Sequence, residues 1–245
     1  AAIRARVAAA GGPGRDKKGK KRGKGGGREV VNGHTDAVMC LDWSELQRNV
    51  LASGSADHTV QLWDLAGAHG SSVSALTHHD DKVSALAWHP TEAAVLATAG
   101  FDQRAAVVDV RAPSALRYWE TGADAEAIAW DPFSSHLLAV SSDDGAVRCF
   151  DARQPGAPLW TLDAHRTDCT SLSYNSVVPG LLATGSSEKN VKLWSVHDSG
   201  SKPRLIATKD LEIGGVFDVK FSPDAPSLLA AGGSKGKLNI GNVLE

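Results

Sequence analysis

A histidine, a serine and an aspartate stand close together in one stretch of this chain. It reads Gly33-His34-Thr35-Asp36, then Leu51-Ala52-Ser53-Gly54-Ser55-Ala56-Asp57, then Leu62-Trp63-Asp64. An aspartate that orients a histidine, which in turn takes the proton of a hydroxyl, is the constellation of a serine hydrolase. A second chemistry is offered by the run Lys17-Lys18-Gly19-Lys20-Lys21-Arg22-Gly23-Lys24. It would neutralise phosphates in a salt-dependent, sequence-independent way. No aromatic is interleaved for base stacking, and no Gly-Lys-Ser/Thr follows a strand to cradle a nucleotide. Metal chemistry finds no support. His78-His79, the scattered histidines and the cysteines Cys40, Cys149 and Cys169 share no ligand spacing. The cysteines read as small buried hydrophobes of a reducing compartment.

The elements that must position these residues are short strands. The phrase recurs in weaker copies anchored at Trp88, Trp130, Tyr174 and Phe221, at steps of 45, 42, 44 and 47 residues from Trp43 onward. Val38 to Trp43, Leu51 to Ser55, Thr59 to Asp64 and Val73 to Thr77 each read as a strand, with a tight turn at Ala56-Asp57-His58. Stretches 96–110, 138–152, 182–196 and 229–243 align with one another without gaps, and no helical periodicity intervenes. Four-stranded units of this length repeated around an axis make an all-β propeller. Residues 1–28 are different. They hold ten Lys and Arg against one acid, a charge of +9, while residues 29–245 carry −11. This reads as a basic, Gly/Lys-rich disordered arm or inter-blade insertion, followed by the repeats over 29–245. No run of about 18 apolar residues crosses a membrane, and no signal peptide is recognisable. The chain begins at Ala1, which reads as a fragment.

The segment 33–64 resembles a WD40 repeat, and the resemblance covers residues 33–245. Gly33-His34-Thr35-Asp36-Ala37-Val38, the link Arg48-Asn49-Val50-Leu51-Ala52-Ser53 and the Lys-rich segment upstream are similar to the periodic tryptophan group of that family, nucleolar proteins of ribosome biogenesis. Five recognisable repeats then imply part of a seven-bladed ring truncated at the N-terminus. The resemblance gives the His, Ser, Asp and Trp a structural role, bracing a blade: His34, Ser53, Asp57 and Trp63 in the first repeat. The second keeps His79, Thr98 and Asp102 with Val108 in the Trp place. The third keeps Asp144, with Val140 and Phe150 elsewhere. The fourth has His165, Thr184, Glu188 and Trp194, and the fifth has Ala231, Lys235 and Gly241. A device that fades in register with a repeat is a brace shared among neighbours, not a catalytic site. On this reading Trp63→Ala costs several kcal/mol, through lost packing and an unpaired His–Asp group.

The resemblance also implies a partner-binding face. Met39, Lys82, Phe101, Asp124, Glu126, Asp143, Asp168 and Phe217 fall on it, apolar anchors beside an acidic arc. That combination suits a protein with a basic segment, such as a ribosomal or assembly factor or a histone. The expected protein is a non-enzymatic scaffold of the nucleus and nucleolus, acting in rRNA processing and large-subunit assembly. It has no cofactor, no metal, no membrane contact and no small-molecule substrate. Lys17, Lys18, Lys20, Lys21, Arg22 and Lys24 would direct import or touch RNA non-specifically. A chromatin reader of a basic histone tail is the first alternative. The second is a cullin-4 ubiquitin ligase receptor, for which Asp109-Val110-Arg111 and Asp151-Ala152-Arg153 stand as weak signals because neither follows a Trp.

Overall fold

Each repeat closes on itself as an antiparallel sheet whose strands lie side by side in chain order. The computed structural model describes residues 33–66, 72–196 and 202–243; the Lys/Arg arm lies outside the described residues. Blade 1 consists of β1 (Val38–Trp43), β2 (Val50–Ser55), β3 (Val60–Asp64) and β4 (Ser72–Leu76). Blade 2 follows with β5 (Val83–Trp88), β6 (Val95–Gly100), β7 (Arg104–Asp109) and β8 (Leu116–Glu120). Blade 3 has β9 (Ala125–Trp130), β10 (Leu137–Ser142), β11 (Ala146–Asp151) and β12 (Trp160–Asp163). Blade 4 has β13 (Ser171–Tyr174), β14 (Leu181–Gly185), β15 (Asn190–Ser195) and β16 (Arg204–Asp210). Blade 5 has three strands, β17 (Val216–Phe221), β18 (Leu228–Gly233) and β19 (Lys237–Asn242). The chain is an all-β propeller of five blades, with no helix among the described residues.

The repeat is carried by backbone geometry as much as by side chains. The turn between the second and third strand uses a left-handed residue in every blade: His58, Gln103, Gly145, Lys189 and Gly236, with φ between 60° and 79°. A carboxylate in the position before that residue binds the turn from outside in blade 1, where Asp57 accepts from the Thr59 amide at 3.0 Å. Asp144 does the same for the Ala146 amide in blade 3, at 3.1 Å. Aspartate favours such turns because its short side chain reaches backbone N–H groups two residues on.

The core lies between blades rather than within one. The anchor tryptophans of blades 2 and 3 turn toward the preceding blade. Trp88 donates its indole N–H to the Asp42 carbonyl at 3.2 Å, and Trp130 donates to the Ala87 carbonyl at 3.1 Å. Between blades 1 and 2 the buried cluster includes Leu62, Leu76, Val83, Leu96 and Val108; between 3 and 4 it includes Val147, Leu162, Leu172, Leu182 and Trp194. Trp43 meets no preceding blade among the described residues. Its indole bonds locally to the Arg48 carbonyl at 2.7 Å, and the residue is 51% exposed.

Candidate functional site

The triad-like residues come together in three blades. In blade 1, His34 Nδ1 lies 3.0 Å from Asp57 Oδ2, His34 Nε2 lies 2.7 Å from Ser53 Oγ, and Trp63 donates its indole N–H to Ser53 Oγ at 2.8 Å. Blade 4 repeats this with His165–Glu188 at 2.7 Å, His165–Thr184 at 2.8 Å and Trp194 to Thr184 at 2.9 Å. An indole N–H can only donate. The hydroxyl therefore accepts from the tryptophan, and since the carboxylate on Nδ1 fixes the ring proton there, a neutral histidine presents Nε2 to take the hydroxyl's own proton. The three links form a closed chain packed between strands, a geometry that ties strands rather than one that attacks a substrate. Burial alone would raise the Asp57 carboxyl. Bonds from the Thr59 hydroxyl, the Thr35 and Thr59 amides and His34 outweigh it and bring the carboxyl down to about 2. Glu188 behaves likewise: burial raises it, but His165, Lys192 and the Arg166 amide take it to about 2.

Blades 2 and 3 solve the missing partners differently from the sequence reading. In blade 2, His79 Nδ1 meets Asp102 at 2.9 Å and His79 Nε2 meets Thr98 at 2.8 Å. Val108 offers no N–H, and the neighbouring His78 supplies it, with Nε2 2.8 Å from the same Thr98 oxygen. Burial and the adjacent His79 push His78 down to about 4, so it stands as a neutral donor. In blade 3, Asp144 instead takes the guanidinium of Arg148 at 2.5 Å. The doubled His78-His79 opposite a valine was the only sequence signal for the first substitution. Nothing in the repeat pattern signalled the second.

The residues that the sequence places on an expected partner-binding face are positioned by two backbone devices. The first is a β-bulge near the start of the innermost strand. Val38 pairs with Ser55 and Cys40 with Gly54, which leaves Met39 as the extra residue. The same irregularity leaves Glu126 extra between Ala125 and Ala127, and Phe217 extra between Val216 and Asp218. A bulge re-aims the side chain of its extra residue out of the ladder. Phe217 is accordingly 63% exposed and Met39 46%. The second device is a hydrogen bond linking the two loops of a blade that emerge on this face. Phe101 N–H reaches the Lys82 carbonyl and Asp143 N–H reaches the Asp124 carbonyl, both at 2.9 Å.

These devices assemble the acidic arc. Burial, and the charges of Asp168, Asp143 and Asp124, raise the Glu126 carboxyl to about 7. Asp168 is held by the Ser187 hydroxyl, and Asp124 accepts from the Gln103 amide at 3.3 Å. Lys82 lies over the Phe101 ring, 5.7 Å from its centre. A carboxyl whose folded value lies above its unfolded value stabilises the fold at low pH and loses that contribution as pH rises through the folded value. The fall from Glu126 therefore runs from about pH 4.5 to about 7. Glu126→Gln is expected to flatten the melting temperature over that window and to raise it at pH 8. A variant with the wild-type pH slope would show that neither burial nor the neighbouring carboxylates raise the Glu126 carboxyl.

The remaining candidates are accounted for structurally. Arg111 and Arg153 fold back onto Asp109 and Asp151, each at 2.6 Å. The cysteines are free thiols, and burial pushes Cys40 and Cys169 up to about 12, which keeps them protonated. Among the described residues no group of three or more His, Cys, Asp or Glu is placed to hold a metal ion.

Comparison with known proteins agrees with this architecture. The family described as "WD domain, G-beta repeat" matches residues 28–64, 70–109, 121–151 and 156–195. The chain is 34% identical to Periodic tryptophan protein 1 of Saccharomyces cerevisiae over 215 residues, 84% of this chain and 37% of that protein. It is 29% identical to the Periodic tryptophan protein 1 homolog of Drosophila melanogaster over 83% of this chain and 44% of the relative. It thus spans about two fifths of the length of these relatives. A chain in a crystal structure of the mitotic checkpoint complex superposes with a TM-score of 0.74 at 27% identity, covering 86% of this chain and 63% of that one. With the family pattern over more than half its length and a matching blade architecture, the chain belongs to the WD40-repeat family.

Proposed function

We propose that this chain is a non-enzymatic WD40 scaffold whose bulge-bearing face holds a basic segment of a partner protein, in nucleolar rRNA processing and large-subunit assembly. The observation that carries the proposal is the convergence of Glu126 with Asp124, Asp143 and Asp168. The Glu126 carboxyl, raised first by burial and then by the charges of Asp168, Asp143 and Asp124, gains when a lysine or arginine enters beside it. Charge complementarity of this kind sets partner choice and association rate. Phe101 and the exposed Phe217 supply apolar contact beside the charges. The likeness to the periodic tryptophan relatives supports a nuclear and nucleolar setting. The basic arm, with Lys17 to Lys24, would direct import or lie along RNA.

Affinity purification of the tagged chain in low and high salt, with and without RNase, tests this reading. Ribosomal and assembly proteins with pre-rRNA are expected, weakened by high salt. Phe101→Ala is expected to leave the melt within a few degrees of wild type and to cut partner recovery severalfold. Recovery of nucleosomes would move the face to a histone tail. A cullin adaptor lost on replacing Arg111 and Arg153 would make the chain a ligase receptor, although both guanidiniums are engaged by Asp109 and Asp151.

A further inference from the structure

One fourth-strand position is charged in blade 2 alone. Arg117 of β8 pairs with Val107, whereas the residues in the same pairing of blades 1, 3 and 4 are Ser74, Trp160 and Ala207. The Arg117 guanidinium reaches across to blade 3, where Nη1 donates to the Ala152 carbonyl at 2.8 Å. It stands between two recesses. One, of about 230 Å³, has His89, Glu92, Trp130, Ala152 and Arg153 in its wall. The other, of about 360 Å³, has Asp109, Ala115 and Leu116. Val95, Val107 and Arg117 line both, so the two form one groove with Arg117 where they meet.

The arginines and acids around this groove balance in number but not in exposure. Arg111 and Arg153 bind Asp109 and Asp151, each at 2.6 Å. Those arginine side chains are 52% and 64% exposed, and their acids only 28% and 6%. An incoming group therefore meets the guanidiniums first. Glu92 lies away toward His89, 4.0 Å from its Nε2. Burial pushes the His89 imidazole down and leaves it neutral. Arg117 makes no ion pair among the described residues, and its Nε and Nη2 have no partner there.

We propose that this groove binds an acidic segment of a partner protein, with a carboxylate between Arg117 and Arg153 and an apolar side chain of the segment in the smaller recess. The carboxylate follows from the free guanidinium edges, whose planar fork matches two oxygens. The apolar side chain follows from the Val95, Val107, Ala152 and Trp130 wall. The smaller recess holds one side chain, since pockets for whole small ligands run to about 300–1,000 Å³. A segment is favoured over a free acid because the groove continues past Arg117 along Leu116 and Ala115, which gives residues on both sides of the acid an apolar wall. Val95 opens β6 and Phe101 follows its last residue, so the groove and the acidic face lie at opposite ends of the strands and select opposite charges. The inference does not depend on what the acidic face binds.

The test uses the full chain and a fluorescein-labelled, amidated synthetic peptide, Ser-Leu-Glu-Leu-Ser, read by anisotropy. Controls replace its Glu by Gln, or both Leu by Ala. Wild type is expected to prefer the Glu peptide to the Gln peptide about tenfold, and Arg117→Gln to lose that preference with a melt within a few degrees of wild type. Arg104→Ala removes a guanidinium of blade 2 outside both walls and is expected to bind as wild type. The comparison of Glu and Gln peptides on wild type keeps the test alive if Arg117→Gln misfolds. The proposal is overturned by equal affinity of wild type and a folded Arg117→Gln for the Glu peptide, or by the absence of saturable binding to wild type. It is equally overturned by equal affinity for the Glu and Gln peptides, by equal affinity for the Leu and Ala peptides, or by acetate displacing the label as well as unlabelled peptide does.

Discussion

Trp194→Ala is expected to destabilise the protein by about 3–5 kcal/mol, the range for deleting a buried tryptophan side chain. The indole packs among Ala139, Val147, Leu162, Leu172 and Leu182, which belong to two blades, so its removal opens a cavity that neither blade can close alone. It also removes the donor to Thr184. In a chain of this size the loss corresponds to a fall in melting temperature of roughly 10 °C. Trp194→Phe separates the two effects. It keeps most of the packing and gives up the N–H, a net loss of about 1 kcal/mol for the hydrogen bond beyond any packing change. Thermal melts of the two variants check this. An alanine variant that melts with wild type would show that the junction between blades 3 and 4 does not depend on the indole. Trp63 makes the same bond to Ser53 but faces no preceding blade among the described residues and is only half-buried. Trp63→Ala is expected to cost distinctly less than Trp194→Ala, although Trp63 belongs to the best-matched repeat.

Gly145→Ala is expected to cost about 3 kcal/mol or more, at the upper end of what overpacking produces. The left-handed conformation is not the reason, because His58, Gln103 and Lys189 adopt it at the equivalent turns. The reason is proximity. A Cβ on Gly145 would lie 2.1 Å from the Thr167 carbonyl oxygen and 2.3 Å from that of His165. Both are backbone atoms and cannot rotate away. The Gly145 carbonyl also accepts from the Ala164 and His165 amides at 3.1 and 3.0 Å. Pushing the strands apart would therefore break the joint between blades and displace His165 from Thr184 and Glu188. Gly236 is the control. It has the same conformation in blade 5 with nothing within 4 Å of its would-be Cβ, so Gly236→Ala is expected to cost about 1 kcal/mol. Equal melts for the two variants would dismiss the contact argument.

The period of the anchors, the strands and the turns were legible in the sequence because each is local. Alternation over six residues, a turn residue and an aromatic at a set step all lie within one repeat, and the repeat names the fold. The His–Ser–Asp–Trp chain of blade 1 and its Thr/Glu version in blade 4 were legible for the same reason. Whatever depends on another strand's register, or on another blade, was not. His78 replaces the tryptophan N–H of blade 2, and Arg148 replaces the histidine of blade 3, because each side chain reaches into a slot that the alignment assigns elsewhere. The bulges that turn Met39, Glu126 and Phe217 outward appear only in the pairing of the first strand with the second. Gly145 looks like an ordinary turn glycine until blade 4 is set against it. Gly241 reads as one more eroded position of the last repeat, and nothing in the repeat pattern singles out Lys209. They line a single cavity only because β16 and β19, on different blades, face one another across a junction. By itself the sequence determined what each blade is. The tertiary structure decided what lies between blades, because packing there joins residues whose separation along the chain carries no period.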